Sequence, residues 1–408
     1  MAALKLNELK EEQRAVSVSR VVLVTRRFWP LVGGAERAVA NLAAELAARG
    51  IDVTLLTARW QPSWPAEMQY RGATVLRLAQ SSLRVWGTIR YMQTVARWLR
   101  KNPHRYELVC VSMLKHDAYA ALGAVGGRVP VVLRAAGGGR SGDCVWQLHA
   151  RCGRRIKKRC MQADAIVGPS RAIERELIAA GYPPDRVHCL PNGVPIPEEP
   201  GVGHKAEARA ALAAASPALE CPVSARLAVY AGRLDRAKGL DTLLAAWPAV
   251  LARFPDAQLW LAGEGPYGPD LQAAIASRGL TGRVVLAGVF DSVDELLLAA
   301  DLFVIPSLEE GMSVALLEAM AAGLPIVASD IPGNRDVVSD GREALLVPVE
   351  DPRALAAAVL RVFEEPDLAT QLGDAARRSA VERFSLAAKA DRYLELFESL
   401  ILQRESKS

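Results

Sequence analysis

A chain of 408 residues that is 51% hydrophobic can bury more than one core, which excludes a disordered or fibrous protein and points to two domains, sometimes three. Fifty Lys and Arg against 45 Asp and Glu leave a formal net charge of only +5, which over this length is no nucleic-acid signature. No apolar run is long enough to span a bilayer, and six cysteines without a C-x-x-C pair argue against a zinc site.

The first eighteen residues are polar and mixed in charge, without the apolar segment of a signal peptide, and are expected to be a disordered leader. Arg20–Thr25, RVVLVT, reads as a buried strand. It runs into FWPLVGG and a helix from Ala35 to Arg49. Strands are expected at Asp52–Ala58, Thr74–Ala79, Leu108–Met113, Val129–Ala135, Asp164–Val167 and Val187–Leu190, with a basic amphipathic helix at Thr88–Lys101. Cys144, Cys152 and Cys160 alternate with Leu148 and Ile156 every four residues and read as one apolar helical stripe, reduced packing residues of a cytosolic protein. Strands alternating with helices of this length imply a parallel sheet covered on both faces.

Four prolines and three glycines in residues 191–203, followed by an Ala-rich piece up to Pro217 and Pro222, mark a domain boundary. The alternation then restarts: strands at Arg226–Ala231, Gln258–Gly263, Val284–Gly288, Asp301–Ile305, Pro325–Ser329 and Ala344–Val349, a helix at Leu240–Phe254, and a helical tail from Asp351. The expected division is a leader (1–18), an amino-terminal domain (19–200), a stiff linker (201–224) and a carboxyl-terminal domain (225–384). The fold class is α/β, two doubly wound parallel-sheet domains with a cleft between them. Ligands of such sheets sit outside the carboxyl ends of the strands, where the Gly-rich loops of this chain fall.

Four of those loops carry chemistry. Gly33-Gly34 precedes a helix with Glu36 in its first turn, and two glycines let backbone approach a phosphate closely; a simple strand-to-helix turn explains them equally well. The loop GRLDRAKG, Gly232 to Gly239, holds Arg233 and Lys238, a forked guanidinium and a point charge suited to a diphosphate. Gly288-Val289-Phe290 offers backbone groups to a nucleobase edge, beside Gly263-Glu264-Gly265-Pro266. In Ser307–Gly323, SLEEGMSVALLEAMAAG, a strand ends, the chain turns at Gly311, and Ser313 stands at the N-cap of a helix. The first amides of that helix favour an anion, and the acids Glu310 and Glu318 on either side accept hydroxyls. Phosphate-binding backbone between two hydroxyl-binding acids suggests a nucleotide-sugar. No D-x-D occurs, so a paired-aspartate magnesium site is not expected, and neither is any cofactor.

At these motifs the chain resembles the retaining glycosyltransferases of family 4, which have the GT-B fold of two facing Rossmann-like domains. WPLVGGAERAVANLAAELAARG resembles the family's amino-terminal phosphate loop and helix, YAGRLDRAKGLDTLL its Gly-Arg-Leu…Lys-Gly motif, and SLEEGMSVALLEAMAAGLPIVASD its E-x7-E signature. The resemblance implies that Arg233 and Lys238 grip the donor diphosphate, Glu318 the ribose and Glu310 the donor sugar. It further implies that the amides of Gly311, Met312, Ser313 and Val314 face sugar and phosphate, with Gly33-Gly34 closing over them and the last helix, 385–408, packing back on the first domain. One departure is that the loop after the fifth strand, Arg134-Ala135-Ala136-Gly137-Gly138-Gly139, lacks the histidine that many relatives carry. Asp143 follows it, Arg134 is the nearest charge, and His116 after the preceding strand is a candidate substitute whose more usual role is structural.

The implied reaction is sugar transfer from a nucleotide-diphosphate sugar, UDP- or GDP-linked, to an acceptor hydroxyl, with anomeric configuration kept and no metal. The acceptor, a sugar, a lipid-linked or a small molecule, would meet variable loops around 59–73, 80–88 and 136–146. The alternatives are a nucleotide-sugar 2-epimerase of the same fold and a non-catalytic basic binding protein. The basic stripe Arg151, Arg154, Arg155 and Lys158, with Lys157 and Arg159 beside it, reads first as a solvated helix face. Peripheral contact with an anionic bilayer at the inner face of the membrane is its alternative.

Overall fold

The computed structural model describes residues 18–31, 33–81, 84–139, 142–199, 201 and 203–406, which form two units. The first unit is residues 18–31, 35–191 and 387–406. Its strands are β1 Arg20–Val24, β2 Asp52–Arg59, β3 Glu67–Tyr70, β4 Ala73–Ala79, β5 Leu108–Ser112, β6 Val131–Arg134, β7 Ala165–Gly168 and β8 Val187–Cys189. They form one sheet in the order β3-β4-β2-β1-β5-β6-β7-β8, parallel throughout except for β3, which pairs antiparallel with β4 at the edge. Both faces are covered, as the unbroken apolar runs require. Val22 and Val24 face Tyr91, Val95 and Leu99 of the helix Arg84–Lys101. Val21 and Leu23 face Val39 and Leu42 of Gly34–Ala48 and Tyr393 and Phe397 of Leu386–Glu405. This two-residue alternation lets one strand serve two cores.

The second unit is Asn192–Leu386 together with Gly33 and Gly34. Its strands are β9 Leu227–Ala231, β10 Gln258–Ala262, β11 Val284–Gly288, β12 Leu302–Ile305, β13 Ile326–Ser329 and β14 Leu345–Val347, all parallel, in the order β11-β10-β9-β12-β13-β14. Trp247 and Leu243 from the helix Leu240–Arg253 fill one core with Leu259, Val304 and Val327. Burying each such side chain contributes roughly 1.5–3 kcal/mol before chain entropy is subtracted. In both sheets the order reverses beside the first strand, at β1/β5 and at β9/β12. The loops leaving those strand pairs are where this topology opens a crevice.

Four expectations need correction. The leader reading covers 1–18, but Val18 is buried in the first core, and residues 1–17 lie outside the described residues. The stretch 59–73 is not all loop, because Glu67–Tyr70 adds an edge strand too short and polar to stand out. The cysteine stripe is not one helix. The chain turns between Asp143–His149 and Gly153–Cys160, so Cys144, Ile156 and Cys160 are buried while Leu148 is 67% exposed and Cys152 is exposed. Burial, foremost, pushes the Cys144 and Cys160 thiols up to about 12, which keeps them protonated and inert.

Residues 201–224, finally, expected as a stiff linker, belong to the second unit. The helix His204–Ala215 is pinned to the second unit by Arg209, whose buried guanidinium donates to the carbonyls of Ala299 (3.0 Å), Pro222 (2.6 Å), Val223 (3.1 Å) and Ala225 (3.1 Å) and pairs with Asp301 (2.9 Å). A buried arginine is kept only with its donors satisfied, and here backbone carbonyls and one carboxylate satisfy them.

Candidate functional site

The buried strands β9 and β12 deliver two loops to the reversal point of the second sheet. In the first, Asp235 caps the short turn Arg236–Lys238 by accepting from the Ala237 amide at 3.2 Å. Gly239 ends the turn at φ +65°, where a Cβ would run into the carbonyl oxygen of Pro306. The Leu308 amide then donates to the Ala237 carbonyl at 2.9 Å. The loops after β9 and β12 are therefore joined backbone to backbone.

That joint sets the side chains. Lys238 Nζ donates to Glu310 Oε1 at 2.7 Å, and the buried Ser307 hydroxyl donates to the same oxygen at 2.8 Å. The Glu310 side chain is 10% exposed and that of Lys238 is 24% exposed, so solvent screens the pair only in part. The turn after β13 backs it, since a Cβ at Gly333 would run into the Glu310 carbonyl oxygen. Tyr230 lies beneath, its hydroxyl donating to the Arg233 carbonyl at 3.0 Å. Burial, with Glu310 and Asp235 adding to it, holds that phenol well above its ordinary range, so it remains a neutral donor.

Ser313 caps the helix Val314–Ala321 by accepting from the Leu316 amide at 3.2 Å. Gly311 to Val314 thus form the mouth of a helix whose dipole favours an anion. Met312 and Val314 are buried, and Met312 packs on Asn192, whose amide donates to its sulfur at 3.2 Å. Only their backbone groups are left for a ligand. Glu318 sits half-buried one helical turn beyond Val314. Arg233, by contrast, is 64% exposed, with Asp235 at 3.9 Å as a loose neighbour. Gly232 beside it is exposed, and Phe290, half-buried, follows β11. The structure thus brings Lys238 and Glu310 together directly, leaves Arg233 extended, and groups Gly33 and Gly34 with this unit.

Sequence reading missed Ser307, Asp235 and Gly333. Ser307 counted only as the end of a strand, and its position three residues before Glu310 was the available signal. Gly333 carries no local signal at all, because its role is an approach across loops.

The reversal point of the first sheet, at β1 and β5, collects a second group. The Arg26 guanidinium lies over the rings of Trp60 (5.3 Å) and Tyr91 (5.8 Å), and its carbonyl accepts from the Trp60 indole at 3.0 Å. Asp117 is buried, and desolvation raises its carboxyl to about 7 against the pull of Arg26 and Lys115. His116 packs edge-on against Trp146 at 5.1 Å, and its pKa is lowered by burial, Arg26 and Lys115, so it is a neutral imidazole. Asp143 is buried, accepts from the Ala136 amide at 2.9 Å and pairs with Lys115 at 3.5 Å. Arg134 is placed elsewhere. Its Nε donates to the Tyr393 hydroxyl at 2.8 Å, under the last helix, so it holds that helix rather than offering its charge to a ligand. Among the described residues no three His, Cys, Asp or Glu side chains gather in a metal-binding group.

Two family models match this chain, Glycosyltransferase Family 4 over residues 32–197 and Glycosyl transferases group 1 over residues 225–365. The chain belongs to glycosyltransferase family 4. The group 1 match contains Arg233, Lys238, Glu310 and Glu318, and the family 4 match contains Gly33, Gly34, His116, Arg134 and Asp143. Alpha-maltose-1-phosphate synthase of Mycolicibacterium smegmatis is 34% identical over 260 residues, 58% of this chain and 64% of that protein. The chain spans less than two thirds of the curated relatives it matches first. Sucrose-phosphate synthase from Thermosynechococcus elongatus superimposes with a TM-score of 0.78 at 22% identity, over 94% of this chain and all of that one. Anabaena HepE, solved in complex with UDP-glucose, does so with a TM-score of 0.76 at 19% identity, over 93% of this chain and all of that one. These likenesses establish the GT-B fold for this family 4 chain, as two parallel-sheet α/β units.

Proposed function

We propose that this family 4 chain transfers a sugar from a nucleotide-diphosphate donor to an acceptor hydroxyl, with retention of configuration and without a metal ion. The observation that carries the reading is the Lys238–Glu310–Ser307 cluster at the reversal point of the second sheet, beside a capped helix mouth and an extended arginine. A diphosphate needs neutralising charge, and Lys238, Arg233 and the amides of Gly311 to Val314 supply it. Ser307 keeps the Glu310 carboxylate oriented, leaving its second oxygen for hydroxyls of the donor sugar. Glu318 takes the ribose hydroxyls.

In the reaction the bond from the anomeric carbon to the phosphate oxygen breaks. A bond to the acceptor oxygen forms on the same face, and the acceptor's proton passes to the departing phosphate. The chain's part is to position the partners and stabilise the charge that gathers on the leaving diphosphate. HepE was solved with UDP-glucose, which makes a uridine nucleotide the first donor to try. A cytoplasmic site of action, where such donors are made, goes with this reading.

A thermal-shift panel of UDP-, GDP- and ADP-sugars tests it, because a ligand that binds only the folded state raises the melting temperature with its affinity. The donor that stabilises should then be turned over equally with and without EDTA. Turnover abolished by EDTA and restored by Mg²⁺ or Mn²⁺ would overturn the metal-free part, and silence across the panel the donor part.

A further inference from the structure

Arginines stand near the carboxyl ends of β1, β2, β4 and β6, and most of them are already engaged. Arg59, at the end of β2, donates to the carbonyls of Trp64 (2.7 Å) and Pro62. Arg77 of β4 donates to the carbonyls of Trp29 (3.0 Å) and Pro65 (3.2 Å), which ties the loops after β1 and β2 to the sheet. Arg134 is taken by Tyr393, and Arg27 lies 3.7 Å from Glu36. Arg26 is different. Its guanidinium is held against the rings of Trp60 and Tyr91, and its Nε is buried without a hydrogen-bond partner. Among the described residues no carboxylate stands at ion-pair distance from it. A buried donor left unpaired destabilises the fold, and it is kept where a ligand completes it.

A second cation joins it. Lys115 follows β5, which pairs with β1 across the reversal point. Arg26 and Lys115 act on the same two side chains, for both lower the His116 pKa and both pull on the Asp117 carboxyl. Their charges therefore gather around one spot. The acids at this end of the sheet do not neutralise it. Asp117 and Asp143 are buried, and burial raises both carboxyls. Lys115 meets Asp143 only at 3.5 Å, which leaves further ammonium donors for a ligand. Glu36 stands beside Arg27, Glu176 accepts from the Gly139 amide at 3.0 Å, and Glu174 acts on His188.

The same rim also offers what a sugar needs. Trp29 (42% exposed) and Trp60 (41%) show indole rings in the loops after β1 and β2. His116 is a neutral imidazole, and Gln80, after β4, has a buried Oε1 without a partner. An indole covers the C–H side of a sugar ring, while imidazole and amide bond its hydroxyls.

We propose that Arg26, with Lys115, binds a phosphate or carboxylate carried by the acceptor, so that the acceptor is an anionic sugar rather than a neutral one. This rests on the sugar-transfer reading and deepens it. A forked guanidinium matches two oxygens of either anion, and the lysine adds a point charge. Arg26 selects the acceptor and takes no part in breaking the donor bond.

The test is calorimetric titration with glucose-6-phosphate, glucuronate and glucose, in excess of the nucleoside diphosphate that the thermal-shift panel selects. The charged sugars should bind at least about tenfold tighter than glucose, and inorganic phosphate should compete with them. Arg26→Gln should abolish that preference, and Arg26→Lys should restore part of it. Lys238→Ala and Arg353→Gln should keep it, which separates this site from the diphosphate site and from surface charge at large. Tighter binding of the phosphate or of the carboxylate probe tells which anion the site prefers. Equal binding of charged and neutral sugars, no binding of any of them, or a preference that survives Arg26→Gln would each overturn the inference. If Arg26→Gln melts early, Lys115→Gln takes its place, with the same loss expected. A chain that binds a nucleoside diphosphate and ignores the charged sugars loses this inference alone. One that is silent across the panel loses the sugar-transfer reading.

Discussion

At the residue scale, the pairing of Lys238 with Glu310 changes what a substitution reports. Glu310 occupies a donor of the lysine that is assigned to the diphosphate. Glu310→Gln should therefore keep or raise affinity for the free nucleotide diphosphate while lowering kcat, because the sugar loses its partner and the lysine loses a competitor. Glu318→Gln should instead weaken nucleotide diphosphate by about 1.5–3 kcal/mol, the worth of a charged hydrogen bond. Calorimetric titration of both variants checks this, and the opposite pattern would reverse the two roles. Asp117 makes a separate prediction. Its carboxyl is raised from 3.8 to about 7, so the folded chain holds a proton that the unfolded chain has lost. The folded state then binds more protons between about pH 4 and 7, and its contribution to stability falls as pH rises through that window. Asp117→Asn should flatten this fall in urea-unfolding midpoints, and an unchanged pH slope would refute the assignment.

At the scale of elements, the site is a joint between two loops rather than a property of either. Gly239 lies at φ +65° against the Pro306 carbonyl, whereas Gly341 lies at φ +70° in open space. Both lose conformational ease on becoming alanine, but only Gly239→Ala must also push apart the loops after β9 and β12. It should cost about 1–3 kcal/mol more than Gly341→Ala and should lower affinity for nucleotide diphosphate. Equal effects of the two substitutions would mean that the joint does not position Lys238. The strand and helix pattern that builds the joint was legible in the sequence, as were the Ser313 cap and the Glu310 and Glu318 spacing. The contacts that aim Glu310 were not, because Ser307, Lys238 and Gly333 come from three different strand ends.

For the whole molecule, two units with separate cores should unfold in two calorimetric transitions rather than one. Nucleotide diphosphate should raise the transition of the second unit. Arg209→Ala should lower that same transition by about 1–3 kcal/mol, since it takes a buried donor from the carbonyls of Ala299 and Ala225 and removes one of the two cations on Asp301, which keeps Lys205 at 2.6 Å. A single transition that moves under both treatments would argue against separate units. The stretch 201–224 would then have no special tie to the second unit.

The apolar alternation by itself determined that the chain forms parallel α/β sheets, because runs such as Val21–Val24 and Leu302–Ile305 are stable only when covered on both faces. The loop motifs determined which strand ends carry charge. Only the tertiary structure decided the strand order, and with it which loops meet at a reversal point, since pairing between distant strands leaves no local signal. It also decided that 201–224 belongs to the second unit and that Arg134 serves the last helix. A side chain's partner is set by which face of the sheet it leaves, and burial then fixes whether its charge can reach a ligand.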